Sequence, residues 1–136
     1  MQANQVHCLR LNPKQDLKIA LLEFCREKKI QAACILSAVG SIEKANLRLA
    51  DSQSFFMKEQ KFEIVSITGT LSVHGCHVHV SISDSEGQVT GGHLLDENLI
   101  YTTCELAILE IVGHEFKREH DPQTGFNELK IYLINS

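Results

Sequence analysis

The chain has 136 residues, 43% of them hydrophobic and 22% charged, with 8 Gly and 2 Pro. That describes one domain, residues 1–136, able to bury a core of its own, and it excludes a disordered or low-complexity chain. Thirteen Lys and Arg against 17 Asp and Glu leave a net charge of −4, a balance that disfavours a nucleic-acid backbone as partner of this chain alone.

In chain order, residues 6–11 (VHCLRL) read as a first strand, closed by Asn12-Pro13. Asp16 then caps a helix that runs to about Lys29. Its apolar positions Leu17, Ala20, Leu21, Phe24 and Cys25 fall on one stripe, and Lys28 and Lys29 are expected in the last turn. Residues 32–39 form a short apolar run that ends at Gly40 and suits a buried strand. Residues 44–50 alternate weakly as another strand, and residues 51–61 read as a loop tethered by Phe55, Phe56 and Met57.

From residue 65 the alternation is clear. Val65, Ile67, Leu71 and Val73 share one parity, with Ser66, Thr68, Thr70 and Ser72 on the other. Cys76, Val78, Val80 and Ile82 alternate with His77, His79, Ser81 and Ser83. A turn at Asp84-Ser85-Glu86-Gly87 leads into a third strand over residues 88–95. Residues 101–112 suit either a buried strand or a helix, and residues 128–134 a closing strand. The fold class is α+β: a largely antiparallel sheet, since the connections are hairpin-short, with one main N-terminal helix.

The run from residue 64 to 83 lacks Asp, Glu, Lys and Arg, but its three histidines and alternating polarity are not those of a membrane span. The polar start, MQANQ, is not a signal peptide. The five cysteines (Cys8, Cys25, Cys34, Cys76 and Cys104) are odd in number and form no CxxC. This argues against a disulfide framework and a four-cysteine zinc knuckle. The expectation is a cytoplasmic protein with reduced thiols and no membrane partner.

Seven histidines are many for this length, and three of them can meet. His77 and His79 are two apart on a strand and share a face, about 6.6 Å apart along it. If Ser85-Glu86-Gly87 is a three-residue loop with Gly87 left-handed, Asp84 pairs with Gln88, and His79 then faces His93 while Leu95 faces His77. A bulge at Gly91-Gly92 would break that register. Three neutral imidazoles suit Zn²⁺, Ni²⁺ or Fe²⁺ and leave a coordination position open. The alternative is a solvated strand face shared with Ser81 and Ser83.

Glu105 stands in an apolar run, Thr103-Cys104-Glu105-Leu106. It suits a fourth ligand, an acceptor for an imidazole N–H or a general base, and equally an edge-strand or surface charge. His7, His74, His114 and His120 read as surface histidines, and HEFKREHD (residues 114–121) as a solvated face or loop. No GxxxxGK[ST] phosphate loop and no GxSxG elbow occurs.

The segments FEIVSITGTLS (62–72), HVHVSISD (77–84), GQVTGGHL (87–94) and TTCE (102–105) together resemble the PPC domain, the plants-and-prokaryotes conserved domain. Arg118, Asp121, Thr124-Gly125-Phe126 and Glu128-Leu129 are similar to the tail of its stand-alone bacterial members. The resemblance implies an α+β subunit assembled as a homotrimer. It also implies a regulatory or ligand-binding module described as DNA-binding, because plant members join the domain to AT-hooks. No Arg-Gly-Arg-Pro hook or basic tail is present in this sequence.

The fold is also similar to that of acetolactate decarboxylase, which holds zinc on an HxH pair plus a third histidine. His77, His79 and His93 match that pattern as metal ligands, with Glu105 and Arg118 as analogues of its catalytic polar groups. Two functions follow: a trimeric binding module with a zinc or related divalent metal, or a metal-dependent lyase or hydrolase acting on a small oxygenated substrate.

Overall fold

Helix formation starts where Asp16 places it. The Asp16 carboxylate accepts a hydrogen bond from the Ile19 N–H at 3.2 Å, and its other oxygen accepts from the Glu97 N–H at 2.7 Å, so one cap also ties down a distant loop. The resulting helix, α1 (Leu17–Glu27), buries Leu17, Ala20, Leu21, Phe24 and Cys25, the stripe read from the sequence. It ends earlier than expected. Lys28 is the C-cap and Lys29 has φ of +55°, so Arg26 is the basic residue of the last turn.

The computed structural model describes residues 2–134, and its strands are β1 (Gln5–Leu11), β2 (Ala33–Arg48), β3 (Phe55–Lys58), β4 (Phe62–Ser72), β5 (Gly75–Ser83), β6 (Val89–Leu94), β7 (Leu99–Glu110), β8 (His114–His120) and β9 (Asn127–Leu133). Six of them lie in the antiparallel order β1-β7-β2-β4-β5-β6, and β3 adds to β2. β6 then returns to the end of β2 at Leu47↔Leu94 and Arg48↔His93, so the sheet curls back on itself. β8 and β9 make a separate hairpin. It is held by the Phe116 N–H on the Gln31 carbonyl at 2.9 Å and by the Ser72 hydroxyl on the Phe116 carbonyl at 2.6 Å.

The core lies between α1 and the inner face of the sheet. Leu21 and Leu17 pack with Leu71, Val78, Ile82, Ile100 and Ile108, each at most 1% exposed. Burial of each such side chain is worth about 1.5–3 kcal/mol, which is what holds the helix against the sheet. Among the described residues no helix is long and apolar enough to cross a membrane, and the five cysteines are free.

Four expectations change. Residues 33–48 are one strand, not two: Gly40 does not end it, because a Cβ there would sit 2.1 Å from the Thr103 carbonyl oxygen. Glycine lets β7 press close and β2 run on. The loop of residues 51–61 contains β3, whose Phe56 meets Phe62 edge-on at 5.9 Å. Val65 is not on the buried face with Ile67. A register shift between Ile64 and Ser66 turns it out to 54% exposure and buries Ile64 and Ile67 on either side. HEFKREHD is mostly strand β8, because pairing with β9 supplies its backbone partners. The ambiguous run of residues 101–112 resolves as strand up to Glu110, where β7 ends, flanked on both sides by β1 and β2.

Candidate metal-binding site

The β5–β6 turn builds the site. Gly87 takes φ of +80°, and its N–H donates to the Asp84 carbonyl at 3.0 Å. Asp84 Oδ1 accepts from the Glu86 and Gln88 N–H groups at 2.9 and 3.0 Å. This turn sets the pairing Ser83↔Val89, Ile82↔Thr90, Ser81↔Gly91, Val80↔Gly92 and His79↔His93.

The glycine pair makes no bulge. A Cβ on Gly91 would lie 2.7 Å from the Val80 carbonyl oxygen, and one on Gly92 would lie 2.6 Å from that of Arg48. Gly91-Gly92 therefore lets β6 fit between β5 and the end of β2. Beyond His93 the strand leaves β5, and the Leu95 N–H donates to the Asn46 carbonyl at 3.4 Å. The expected Leu95–His77 apposition is replaced by this contact with β2.

His77, His79 and His93 form one group. Their ligand nitrogens all lie within 4.8 Å of one another, and Nε2 of His77 and of His79 are 3.1 Å apart. Ring centroids are separated by 4.8, 5.2 and 5.7 Å. Around a tetrahedral zinc with Zn–N of about 2.05 Å, ligand nitrogens stand about 3.3 Å apart. The His77–His79 pair is already near that spacing.

Desolvation pushes the His93 imidazole down to about 4, helped by the positive charge of Arg48 and by its two histidine neighbours. Desolvation, then His79 and Arg118, lowers His77 as well, while Glu128 opposes the shift. Both shifts favour the neutral imidazole, the form that ligates a metal. The Nδ1 of His93 is buried without a hydrogen-bond partner among the described residues, an unmet demand that a bound cation would satisfy. The donor set fits a divalent metal of borderline softness.

Of the three clefts that open beside the imidazoles, two also reach an arginine. One of about 550 Å³ is bordered by Arg48, Ser52, Ser81 and the three histidines. Another of about 190 Å³ lies between Arg48 and Arg118, with His77, His93, Phe126 and Glu128 around it. Arg118 is thus at the site, its Nη2 donating to Thr70 Oγ1 at 2.8 Å.

Glu105 is placed elsewhere. It is exposed on β7 opposite Arg10 and Val39, with β2 and β4 between β7 and β5, about 14 Å away by strand spacing, and it lines neither cleft. Arg48 was not visible as a site residue in the sequence, since only the β2–β6 pairing sets it against His93. Phe126 and Glu128 had a signal, the TGFNE segment.

Three of the four remaining histidines serve other contacts: His7 meets Glu110 at 2.7 Å, His74 meets Glu115 at 3.2 Å, and His114 meets the Val112 carbonyl at 3.3 Å.

Residues 1–112 match the Plants and Prokaryotes Conserved (PCC) domain. The chain belongs to that family. The PCC match ends within the segment between β7 and β8, so the hairpin carrying Arg118 lies beyond it. A protein from Salmonella enterica with 32% identity superposes at a TM-score of 0.93 over 98% of this chain and 96% of its own. A metal-containing protein from Archaeoglobus fulgidus, 31% identical, superposes at 0.82 over 93% of both chains. The bifunctional protein GlmU of Synechococcus sp. strain JA-3-3Ab is 42% identical over 130 residues, 96% of this chain. The chain spans only 21% of that relative's length.

Proposed function

We propose that this PCC-domain chain is a homotrimeric binding module in which His77, His79 and His93 hold a divalent metal, zinc first. The observation that carries the reading is the convergence of three imidazoles, their ligand nitrogens all within 4.8 Å of one another. The metal-containing relative from Archaeoglobus fulgidus supports it. Bound there, the metal would act as a Lewis acid on an oxygen ligand at an open position.

Trimer formation draws support from Leu36, Val39 and Val65, apolar side chains of β2 and β4 that are 53, 57 and 54% exposed and would be covered by a neighbouring copy. DNA is the partner the family resemblance brings. With a net charge of −4 any contact by this chain rests on a local basic patch and falls steeply with salt.

The cleft of about 550 Å³ beside the imidazoles favours a second reading, a metal-dependent lyase or hydrolase acting on a small oxygenated substrate. Glu105 of the same chain does not line this cleft.

Metal content of untagged protein purified without chelator is the test. Wild type should carry about one ion per subunit, and His77→Ala/His79→Ala none. No metal in either, with none taken up from added Zn²⁺, makes the three histidines a solvated strand face and removes both readings. Size measurement by light scattering checks the trimer, and a gel-shift series at low salt checks DNA.

A further inference from the structure

Two arginines reach the edge of the histidine group from distant parts of the chain. Arg48 ends β2 opposite His93, and Arg118 comes from β8, its Cγ passing over Gly75. Both are half-buried, and both line the cleft of about 190 Å³. Among the described residues neither guanidinium takes part in an ion pair, although Lys and His residues elsewhere do. Two partly desolvated guanidiniums lining one cleft, with no ion-pair partner for either, are a site for an anion, and the planar fork of each matches an oxyanion.

Glu128 is the carboxylate lining this cleft. Against two arginines and neutral imidazoles it leaves one net positive charge. Arg48 packs over the Phe126 ring at 5.7 Å, which orients its fork and puts an apolar wall beside the charge. That wall suits an anion with a carbon body over an inorganic one. The volume of about 190 Å³ equals roughly six waters at their liquid volume, room for an acid of a few carbons.

We propose that Arg48 and Arg118 form a carboxylate clamp, so that the ligand of this site is a small organic acid held beside the three imidazoles. The assignment rests on reading the three-histidine cleft as a ligand site, and adds the chemical class of the ligand.

Calorimetric titration of pyruvate, lactate, malate and succinate into chelator-treated protein, repeated after Zn²⁺ loading, tests it. At least one of these acids should bind at one saturable site per chain. Its affinity should fall about tenfold or more in both Arg48→Gln and Arg118→Gln, and inorganic phosphate should bind more weakly than that acid. Arg118→Gln also loses its bond to Thr70, so its unfolding midpoint is measured in parallel; Arg48→Gln carries the test if Arg118→Gln does not fold.

Absence of saturable binding by all four acids in both preparations, unchanged affinity in Arg48→Gln, or tighter binding of phosphate overturns the clamp. Metal content of the same preparations separates the two readings. Metal without acid binding removes the clamp alone, and acid binding without metal removes the metal alone.

Discussion

β5 and β2 are both strands of alternating side chains, but they keep that alternation very differently. β5 has two neighbours, β4 and β6, and from Cys76 to Ser83 its pattern is unbroken: Val78, Val80 and Ile82 inside, His77 and His79 outside. β2 touches β3, β4, β6 and β7, and against β7 it shifts register between Ile35 and Ser37, Gly40 and Ile42, and Ile42 and Lys44. Its buried residues change parity along the way, from Ala33 and Ile35 to Gly40 and Ile42 and then to Ala45 and Leu47. A strand with two partners can hold one face throughout. A strand serving four must bend, and each bulge resets which side chains face in.

The sharpest way to break that contrast is to attack the bend itself. Gly40→Ala sets a methyl group against the Thr103 carbonyl oxygen, with 2.1 Å available. The expected loss is about 3 kcal/mol or more in denaturant unfolding, and a loss under about 1 kcal/mol would show that β7 does not press on β2 there.

Next comes the parity switch in β4. Ile67→Ala should cost about 2–4 kcal/mol, and Val65→Ala, two positions away on what alternation alone makes the same face, about 0.5 kcal/mol or less. Equal losses would mean that the bulge between Ile64 and Ser66 is absent.

Acid distinguishes the outer face of β5–β6 from its inner one. In metal-free protein His93 binds its proton only near pH 4, whereas the unfolded chain binds it near 6.5. Between those values the unfolded state holds more protons, so stability falls as pH drops from about 6.5 toward 4. Substituting His93→Gln should flatten the slope of unfolding midpoint against pH in that window. An unchanged slope would place the sensitivity elsewhere. The same depression favours the neutral, ligating form of His93 as pH falls toward 4, so zinc uptake, followed by equilibrium dialysis, should outlast that of ordinary histidines on acidification.

The smallest effect belongs to the turn. Asp84→Ala removes the acceptor of the Glu86 and Gln88 N–H groups, for about 1 kcal/mol. Zinc stoichiometry should survive it, because Val78, Val80 and Ile82 hold the inner face and with it the register. Loss of zinc in a folded Asp84→Ala protein would make the turn, not the core, the keeper of the histidine geometry.

What the sequence determined by itself was local. Asp16 and the stripe behind it define the helix, because a cap and a 3.6-residue period act within a few turns of chain. His77, His79 and His93 are brought together by a turn and two alternating strands, and a hairpin's register depends on little beyond that turn and the face it buries.

Tertiary structure decided the rest. That β2 runs through Gly40, that Val65 points out, that Arg48 stands opposite His93 and Arg118 beside His77, and that Glu105 lies apart from them, all depend on pairings between strands far apart in sequence. Bulges set by pairing with neighbouring strands reset the period of two, so alternation read along the chain stops reporting the face. A residue's partner across a curled sheet is set by how the whole sheet closes.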